Sequence, residues 1–393
     1  MPDLPVALAA PFDPAPLIKR LTTWSAINSG STHLAGLARM ADALEAALRE
    51  LTPDVERVPL ADDGRVALRA TCRPAAARRI LCSGHYDTVF DANHPFQTPR
   101  PVTADRLNGP GVADMKGGIV AMLAALAAFE QTPTAANLGW TVLLTPDEET
   151  GSAASRPVIE AAAREHALGL VFEPARDTGA LVRSRAATGI FTLTVHGRAA
   201  HAGRDPGAGR NAIVALAELL LAVDRLPARI PDLLINVGAI RGGGTVNIVP
   251  DFATADLNAR ASTKPALLAA EAALADLAAT LNQRDGFRAE LTGQFNREPL
   301  QSTPVTEALF AQLQTCVADL GEPPLEWMHV AGGSDGNLLH AAGLPVLDGL
   351  GPVGGGLHSA DEYIEIASLP ARARRAALLL HRLATREIGL PDG

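Results

Sequence analysis

The stretch Ile80-Leu81-Cys82-Ser83-Gly84-His85-Tyr86-Asp87 joins a short apolar run directly to an imidazole and a carboxylate. A short apolar run of this kind predicts a buried strand, which here ends close to His85. Side chains two residues apart in a strand share a face, so His85 and Asp87 are expected to point the same way. Polar residues just beyond a buried strand are typical of α/β proteins, whose sites lie at the carboxyl ends of the strands.

The same arrangement recurs downstream and predicts an α/β fold with a central, mostly parallel sheet. The apolar residues 141–144 and 168–172 predict two more buried strands, which lead into Glu148-Glu149 and into Glu173. In residues 117–130, apolar side chains recur near the helical period. Helices are accordingly predicted at residues 117–130 and 153–165.

The pattern changes after residue 186, where strands and helices follow in the order β-α-β-β-α-β. That order is typical of a ferredoxin-like domain. The α/β pattern then resumes and runs to a closing helix at 368–383. We therefore expect residues 1–186 and 297–393 to form one domain and residues 187–296 to form an inserted one. The strands predicted in the insert are 190–195, 233–240, 254–261 and 288–291, and its helices are 211–226 and 265–282.

Composition limits the classes of protein and partner. Of the 393 residues, 47% are hydrophobic and 20% charged, which is typical of a globular chain with an ample core. The net charge of −9, without any Lys/Arg-rich run, argues against nucleic acid or an anionic membrane as partner. The three cysteines lack metal-ligand spacing, and no apolar stretch is long enough to span a bilayer. These features predict a soluble cytoplasmic protein with reduced thiols.

Side chains of the types that bind metal ions lie where predicted strands end and loops begin. They are His85, Asp114, Glu149, Glu173 and His358, with Glu148 as a further carboxylate. Two imidazoles, three carboxylates and a spare acid suit a two-metal hydrolytic site, because nitrogen and oxygen atoms bind the ions and the spare acid serves as a base.

Each of these residues also has a plain structural interpretation when it is taken alone. His85 with Asp87 resembles an ordinary surface pair, and Asp114 could cap the following helix. The acidic pair Glu148-Glu149 could form a solvated turn that suits a helix dipole. His358 lies in a glycine-rich loop, where most histidines are surface residues. A phosphate-binding loop at Asp114 is rejected, because the required Gly-Lys-Ser/Thr order is absent.

Adjacent acids give the sharpest local hypothesis. Glu148 and Glu149 repel each other unless a cation or a shared proton separates their roles. The natural division makes Glu149 a metal ligand and Glu148 the base that takes a proton from water. Asp87 is expected to hold the His85 imidazole in one tautomer.

Taken together, the motifs resemble a known family. The chain is similar to the co-catalytic zinc hydrolases of the aminoacylase, acetylornithine deacetylase, succinyl-diaminopimelate desuccinylase and glutamate carboxypeptidase family, and most of all to the glutamate carboxypeptidase branch. The similarity spans nearly the whole chain. The residues that carry it are His85-Tyr86-Asp87-Thr88-Val89, Gly109-Pro110-Gly111-Val112-Ala113-Asp114-Met115-Lys116-Gly117-Gly118, Asp147-Glu148-Glu149-Thr150-Gly151-Ser152, Glu173-Pro174, Gly332-Gly333-Ser334-Asp335-Gly336 and His358-Ser359.

The resemblance implies a metal centre with two Zn²⁺ ions per subunit. Asp114 would bridge the ions, His85 and Glu173 would complete one site, and Glu149 and His358 would complete the other. Mn²⁺ or Co²⁺ could replace zinc, because the same ligand types bind them. Glu148 matches the general base of the family.

The resemblance also implies that the insert is a lid and dimerisation domain of a homodimer. His201 matches a histidine that stabilises the oxyanion in the partner's site. Asn247 and Arg260 match polar residues that contact the substrate or frame the lid site, and Arg297 falls near an arginine for the substrate carboxylate. One departure is Asn258, which stands where relatives carry an acid two residues before the arginine.

The expected function is therefore hydrolysis of an amide or peptide bond next to a free carboxylate, in a small N-acyl amino acid or peptide. An N-acyl amino acid deacylase is the alternative enzyme. A carbamoyl-amide hydrolase is disfavoured, because such enzymes tend to carry a histidine where Glu173 stands. A non-catalytic binding protein is the alternative from another class, although every ligand and base position is filled.

Overall fold

The computed structural model describes residues 5–60 and 63–385. The described chain forms two compact units. The first unit contains the residues up to Arg183, the segment Ser302–His329 and the residues from Ser334 onward. The second unit contains Ser184–Gln301 and Val330–Gly333. Arg297, which the predicted boundary assigned to the flanking domain, lies in the second unit.

The described chain contains ten α-helices and sixteen strands. Up to Arg185 the elements are α1 (Val6–Ala9), α2 (Pro14–Ser25), α3 (Leu34–Arg49), β1 (Val55–Pro59), β2 (Val66–Cys72), β3 (Arg79–His85), β4 (Arg100–Pro101), β5 (Arg106–Asn108), α4 (Lys116–Glu130), β6 (Gly139–Thr145), α5 (Arg156–Arg164), β7 (Leu168–Val171) and β8 (Leu181–Arg185). They continue with β9 (Ala187–His196), α6 (Ala212–Asp224), β10 (Leu233–Gly242), β11 (Phe252–Ala261), α7 (Lys264–Asn282) and β12 (Arg288–Arg297). The last are α8 (Pro304–Asp319), β13 (Trp327–Val330), α9 (Asp335–Ala341), β14 (Val346–Asp348), β15 (Gly354–Gly355), β16 (Tyr363–Glu365) and α10 (Ser368–Thr385).

An eight-stranded sheet with the order β1-β2-β6-β3-β7-β14-β8-β13 organises the structure. Its centre is parallel, because β3 pairs in parallel with β6 and β7, and β14 pairs in parallel with β7. The pairings of β1 with β2, of β2 with β6 and of β14 with β8 are antiparallel. The apolar strand β6 is buried along its whole length, as expected for a strand covered on both faces. The predicted α/β class is confirmed.

Helix α4 holds the loops that carry the candidate ligands Asp114 and Glu173 close to each other. Its residues are apolar almost all round, and it packs against α10. At Gly118 a Cβ atom would lie only 1.9 Å from the Phe172 carbonyl oxygen, so only glycine fits there. This close approach holds the start of α4, just after Asp114, against the end of strand β7, just before Glu173.

A small sheet with the order β15-β16-β5-β4 lies elsewhere in the first unit. Strand β16 pairs antiparallel with both β15 and β5, so that Tyr363 lies opposite Asn108. This pairing joins the loop that carries Asp114 to the turn that carries His358, although the two lie far apart in the sequence.

The second unit is a four-stranded antiparallel sheet with the order β10-β11-β9-β12 and two helices, α6 and α7. Its element order is the β-α-β-β-α-β arrangement expected from the sequence. The apolar side chains Phe191, Leu193 and Val195 alternate along β9 and are buried in the unit's core. Strand β12 is ten residues long, whereas the sequence predicted only its first four.

Across the described residues, no helix combines the length and the apolar character needed to cross a bilayer.

Candidate metal centre

Five candidate ligands reach one region of the first unit from the ends of different elements. His85 is the last residue of β3, and Glu173 follows β7 by two residues. Asp114 lies in the loop between β5 and α4, and the peptide bond after it is cis. Glu149 lies in a short 3-10 turn after β6, and His358 lies in the turn between β15 and β16. The parallel strands bring three of these residues to one edge because their carboxyl ends meet there.

Asp114 lies between the two histidines. Its Oδ1 is 3.2 Å from His85 Nε2, and its Oδ2 is 3.4 Å from His358 Nε2. His85 Nε2 is also 3.7 Å from Glu173 Oε1, and His358 Nε2 is 3.2 Å from Glu149 Oε2. The five side chains therefore form two groups, each with one imidazole and one further carboxylate, and both groups share Asp114.

These spacings fit metal ions. Two ligand atoms that lie about 2.1 Å from one ion in a tetrahedral site are about 3.4 Å apart. The distances within both groups are close to that value. One ligand atom each from His85, Asp114 and Glu149 also lie within 4.8 Å of one another. Nitrogen and carboxylate oxygen donors are those that zinc accepts, so the residues fit such ions in both type and spacing.

The carboxylates and imidazoles in this region shift one another's pKa values. Burial, together with the charge of Asp114, raises the pKa of Glu149 to about 8. Burial also disfavours an ionised Asp114, but hydrogen bonds with His358 and His85 lower the pKa of its carboxyl well below the usual range. Hydrogen bonds to Asp114 and Glu149 raise the pKa of His358 to about 11, although burial opposes the shift. Buried carboxylates that repel one another in this way are stabilised by bound metal cations.

Asp87 orients both a ligand and the acidic pair. Its Oδ1 is 3.2 Å from His85 Nδ1 and accepts a hydrogen bond from the Glu148 backbone N–H at 3.1 Å. Its Oδ2 accepts from the Glu149 N–H at 3.2 Å and from the Ser31 hydroxyl at 2.7 Å. A partner on Nδ1 directs the other ring nitrogen of His85 towards Asp114 and Glu173. The contacts with the acidic pair were not foreseen from the sequence.

The turn that carries Glu148 is held on both sides by other acids. Glu148 is buried at the start of the turn. Asp147 accepts hydrogen bonds from the backbone N–H groups of Ala154 and Ser155, at 2.9 and 3.2 Å. Asp335 accepts one from the Thr145 hydroxyl at 2.9 Å and another from the Ser152 hydroxyl. Asp335 belongs to the motif Gly332-Gly333-Ser334-Asp335-Gly336, and only the fold brings it to this turn.

Two further buried charges support the Asp114 loop and were missed. Lys116 donates from Nζ to the carbonyl oxygens of Ile27 and Trp24, at 2.8 and 3.2 Å. Burial lowers the pKa of Lys116 to about 7. Burial also raises the pKa of Glu362 to about 7, and its carboxylate accepts three backbone N–H groups of the Asp114 loop.

His201 and Asn247, two of the predicted substrate-side residues, lie together on the surface of the second unit. Both are exposed. The Asn247 carbonyl accepts from the Ala202 N–H at 2.9 Å, and His201 pairs with Ile248 in an isolated bridge. His201 Nδ1 accepts from the N–H groups of Gly203 and Arg204, both at 3.1 Å. An accepting Nδ1 leaves the proton of the neutral ring on Nε2, which is therefore a hydrogen-bond donor.

The predicted arginines of the second unit gather around residues 331–333. Arg260 donates to the Ala331 carbonyl at 2.6 Å and to the Asn258 side-chain oxygen at 3.3 Å. Asn258 thus contacts Arg260 where an acid was expected. Arg297 is buried, and its Nη1 would lie 3.3 Å from a Cβ on Gly333. Arg185, which the sequence did not single out, donates to the Gly332 carbonyl at 3.2 Å.

The chain is similar in sequence to proteins of one peptidase family. The model of peptidase family M20/M25/M40 matches residues 81–382. Carboxypeptidase G2 of Pseudomonas sp. (strain RS-16) is 30% identical over 382 residues, which covers 95% of this chain and 90% of that protein. The succinyl-diaminopimelate desuccinylase of Paracidovorax citrulli is 30% identical over 312 residues, covering 75% and 78% of the two chains.

Solved structures share the fold at lower identity. The aminopeptidase PepT of Bacillus cereus superposes with a TM-score of 0.77 at 19% identity, covering 95% of this chain and 99% of that one. The YXEP protein of Bacillus subtilis, described as a dinuclear metal-binding peptidase, has a TM-score of 0.68 at 14% identity, with coverage of 95% and 98%.

Proposed function

Because the chain belongs to peptidase family M20/M25/M40 and is a metal-dependent hydrolase of amide or peptide bonds, we propose that it holds two zinc ions and cleaves a bond next to a free carboxylate. The main support for two ions is the position of Asp114, whose two oxygens face two different histidine–carboxylate groups. Manganese or cobalt suits the same donor atoms. Ions bound there would polarise the scissile carbonyl and lower the pKa of a water molecule from about 15.7 to about 7.

Glu148 is the proposed base. It takes a proton from the attacking water and returns it to the leaving amine. Two features support this role: its backbone N–H is held by Asp87, and the neighbouring residue Glu149 carries a carboxylate that faces His358. Asp87 acts on the reaction indirectly, because it fixes the tautomer of His85 and the backbone of the acidic pair.

His201 is the proposed oxyanion donor. Its Nδ1 accepts two backbone N–H groups, so that Nε2 carries the proton and can donate to a developing negative charge. Arg260 and Arg297 are proposed to recognise the substrate carboxylate, since guanidinium groups pair with carboxylates through two parallel hydrogen bonds. Asn247 is proposed to contact the substrate beside His201.

The proposed substrate is a peptide or N-acyl amino acid whose scissile bond adjoins a carboxylate. Similarity to a carboxypeptidase over nine-tenths of that protein favours the carboxypeptidase reaction. Similarity to desuccinylases keeps N-acyl amino acid deacylation as the second candidate, because that reaction also breaks an amide bond. A purely binding role is disfavoured, since each candidate ligand and the base are present in one cluster.

We also propose that the protein is a homodimer assembled through the second unit. Strand β10 lies at the edge of the antiparallel sheet and exposes Leu234 and Ile240. Helix α6 of the same unit exposes Val214 and Leu221. An apolar edge strand beside an apolar helix face is suited to pairing with a second copy. The three cysteines are free thiols, which accords with the proposed cytoplasmic location.

The test is a panel assay on the metal-loaded protein. Amine release would be followed from N-acyl and peptidyl derivatives of glutamate, aspartate, alanine and ornithine, with the metal content measured on the same sample. We expect cleavage of the peptidyl derivatives of glutamate and aspartate, and a metal content of about two ions per chain. Preference for acetylornithine would support the deacylase candidate. Absence of turnover across the panel with two ions bound would contradict the proposed substrate class.

A further inference from the structure

A buried carboxylate joins two of the loops that carry candidate metal ligands. Glu362 lies four residues after His358 and is 1% exposed. Its Oε1 accepts hydrogen bonds from the backbone N–H groups of Ala113 and Asp114, at 2.8 and 3.0 Å. Its Oε2 accepts from the N–H of Gly111 at 3.0 Å. Both oxygens are therefore used to hold the loop that carries Asp114.

The shape of the Asp114 loop suits an anion. Gly111 has a φ of +71°, a left-handed conformation that glycine adopts freely. Backbone N–H groups that converge near such a residue form a concave site for negative charge. Here the Glu362 side chain occupies that concavity.

The main chain of Glu362 strengthens the same junction. Its carbonyl accepts from the Asn108 side-chain amide at 2.7 Å and from the Gly109 N–H at 3.2 Å. Its own N–H donates to the Ser359 carbonyl at 3.2 Å, which closes the turn 359–362 that directly follows His358. His358 has a φ of +60°, a conformation that a non-glycine residue keeps only where its surroundings hold it. The turn is thus tied to the loop that it faces.

We propose that Glu362 is a positioning residue that sets the distance between His358 and Asp114, and so the affinity of the metal site that those two residues share with Glu149. This inference rests on the proposed two-metal function. The site of His85 and Glu173 depends on it less, because both of these residues are held at the ends of neighbouring sheet strands. Loss of the clamp therefore weakens one ion more than the other.

Glu362→Gln is the discriminating variant, because it keeps the size and removes one acceptor. A glutamine has a single acceptor oxygen, so in either amide orientation its NH₂ group faces at least one backbone N–H. The metal-free variant would be titrated with Co²⁺ and followed by its visible absorption, which reports coordination geometry. We expect the ion on the His358 side to lose about 10- to 100-fold in affinity and the ion on the His85 side to lose less.

Two reference variants separate the possible causes. Glu130→Gln is matched in chemistry, since Glu130 is a half-buried acid in the same unit that accepts from Trp140 at 2.7 Å. It is expected to lower the melting temperature and to leave the cobalt titration unchanged. His358→Ala identifies the ion bound on the His358 side, and Glu362→Gln is expected to weaken that same ion.

The outcomes are distinct. If His358→Ala loses one ion while Glu362→Gln binds both with wild-type affinity and spectrum, the inference about Glu362 is overturned and the proposed function stands. If His358→Ala keeps both ions, the proposed metal centre itself is overturned. Equal weakening by Glu362→Gln and Glu130→Gln would reduce Glu362 to general support of the fold and would also overturn the inference.

Discussion

The cluster of candidate metal ligands in the first unit and the polar surface of the second unit, with His201 and Asn247, are built in opposite ways. In the cluster, His85, Asp114 and Glu173 are nearly buried while His358 is exposed, and other acids hold His85 and the Asp114 loop. On the second unit, His201 and Asn247 are exposed, and the His201 ring is held only by N–H groups of its own loop among the contacts described above. One region is buried in its unit except at His358, and the other is a set of side chains on a surface.

Substitutions in the two regions should therefore have different effects. Removing one member of a buried charged group leaves its partners uncompensated, so both stability and metal binding should change. Removing an exposed side chain should change the reaction and leave folding nearly intact, because surface substitutions usually alter stability by less than about 0.5 kcal/mol. The variants below test that contrast, beginning with the largest expected effect.

Glu148→Gln should nearly abolish turnover while the protein keeps about two ions per chain. Loss of a general base commonly costs about 10²- to 10⁴-fold in rate. Each factor of ten corresponds to about 1.4 kcal/mol of barrier. The measurements are kcat and the metal content of the same preparation. Glu149→Gln is the matched neighbour and should lose metal as well as activity, and near-normal turnover of Glu148→Gln would eliminate the proposed mechanism.

His358→Ala should lower the metal stoichiometry and reduce the stabilisation that metal gives to the fold. A bound ion present at 100 times its Kd contributes about 2.7 kcal/mol to folding. Melting curves with and without a chelator should therefore differ less for the variant than for the unmodified protein. An unchanged metal content, with unchanged melting curves, would return His358 to the status of a surface histidine.

The His201 prediction concerns assembly and has the smallest signal. If His201 serves the site of the partner subunit, mixing inactive Glu148→Gln chains with inactive His201→Ala chains should restore activity. A hybrid dimer then contains one complete site, so random exchange of a two-fold dimer gives about a quarter of the wild-type activity. His201→Ala alone should keep its metal content and melting temperature, as expected for an exposed residue.

Subunits with two different tags serve as the control for this mixing experiment. Hybrid dimers purified through both tags must show the activity, because chains that never exchange would also remain inactive. Verified hybrids without activity would mean that His201 acts within its own subunit or has no role in the reaction.

Strands with a strong local pattern were the predictable part of the fold. β3, β6 and β7 are short apolar runs that end at polar residues, and the residues beyond them do converge. Strands β1 and β2 were not predicted. Their sequences, Val55-Glu56-Arg57-Val58-Pro59 and Val66-Ala67-Leu68-Arg69-Ala70-Thr71-Cys72, mix charged residues with apolar ones near the sheet edge, where a strand needs less apolar surface.

Contacts between distant segments were beyond prediction. Glu362 accepts hydrogen bonds from backbone N–H groups about 250 residues away, and any residue type except proline at those positions would provide the same N–H. Asp335 likewise reaches two hydroxyl groups on either side of the acidic turn. Such links depend on tertiary structure and leave no periodic trace in the sequence, whereas the side chains that they orient were recognisable by their chemistry.

The position of β14 has a consequence for how the protein is made. This strand lies between β7 and β8 in the sheet, yet it is synthesised after the whole of the segment Ser184–Gln301. During translation at about 5–20 residues per second, roughly 10 to 40 seconds separate Glu173 from His358. In that interval β7 lacks its neighbouring strand β14. Four of the five candidate ligands have then been synthesised, and the fifth has not. Metal capture by the full set is therefore an event of late synthesis or of the released chain, and a chain that stops before residue 358 leaves an incomplete sheet together with an incomplete ligand set.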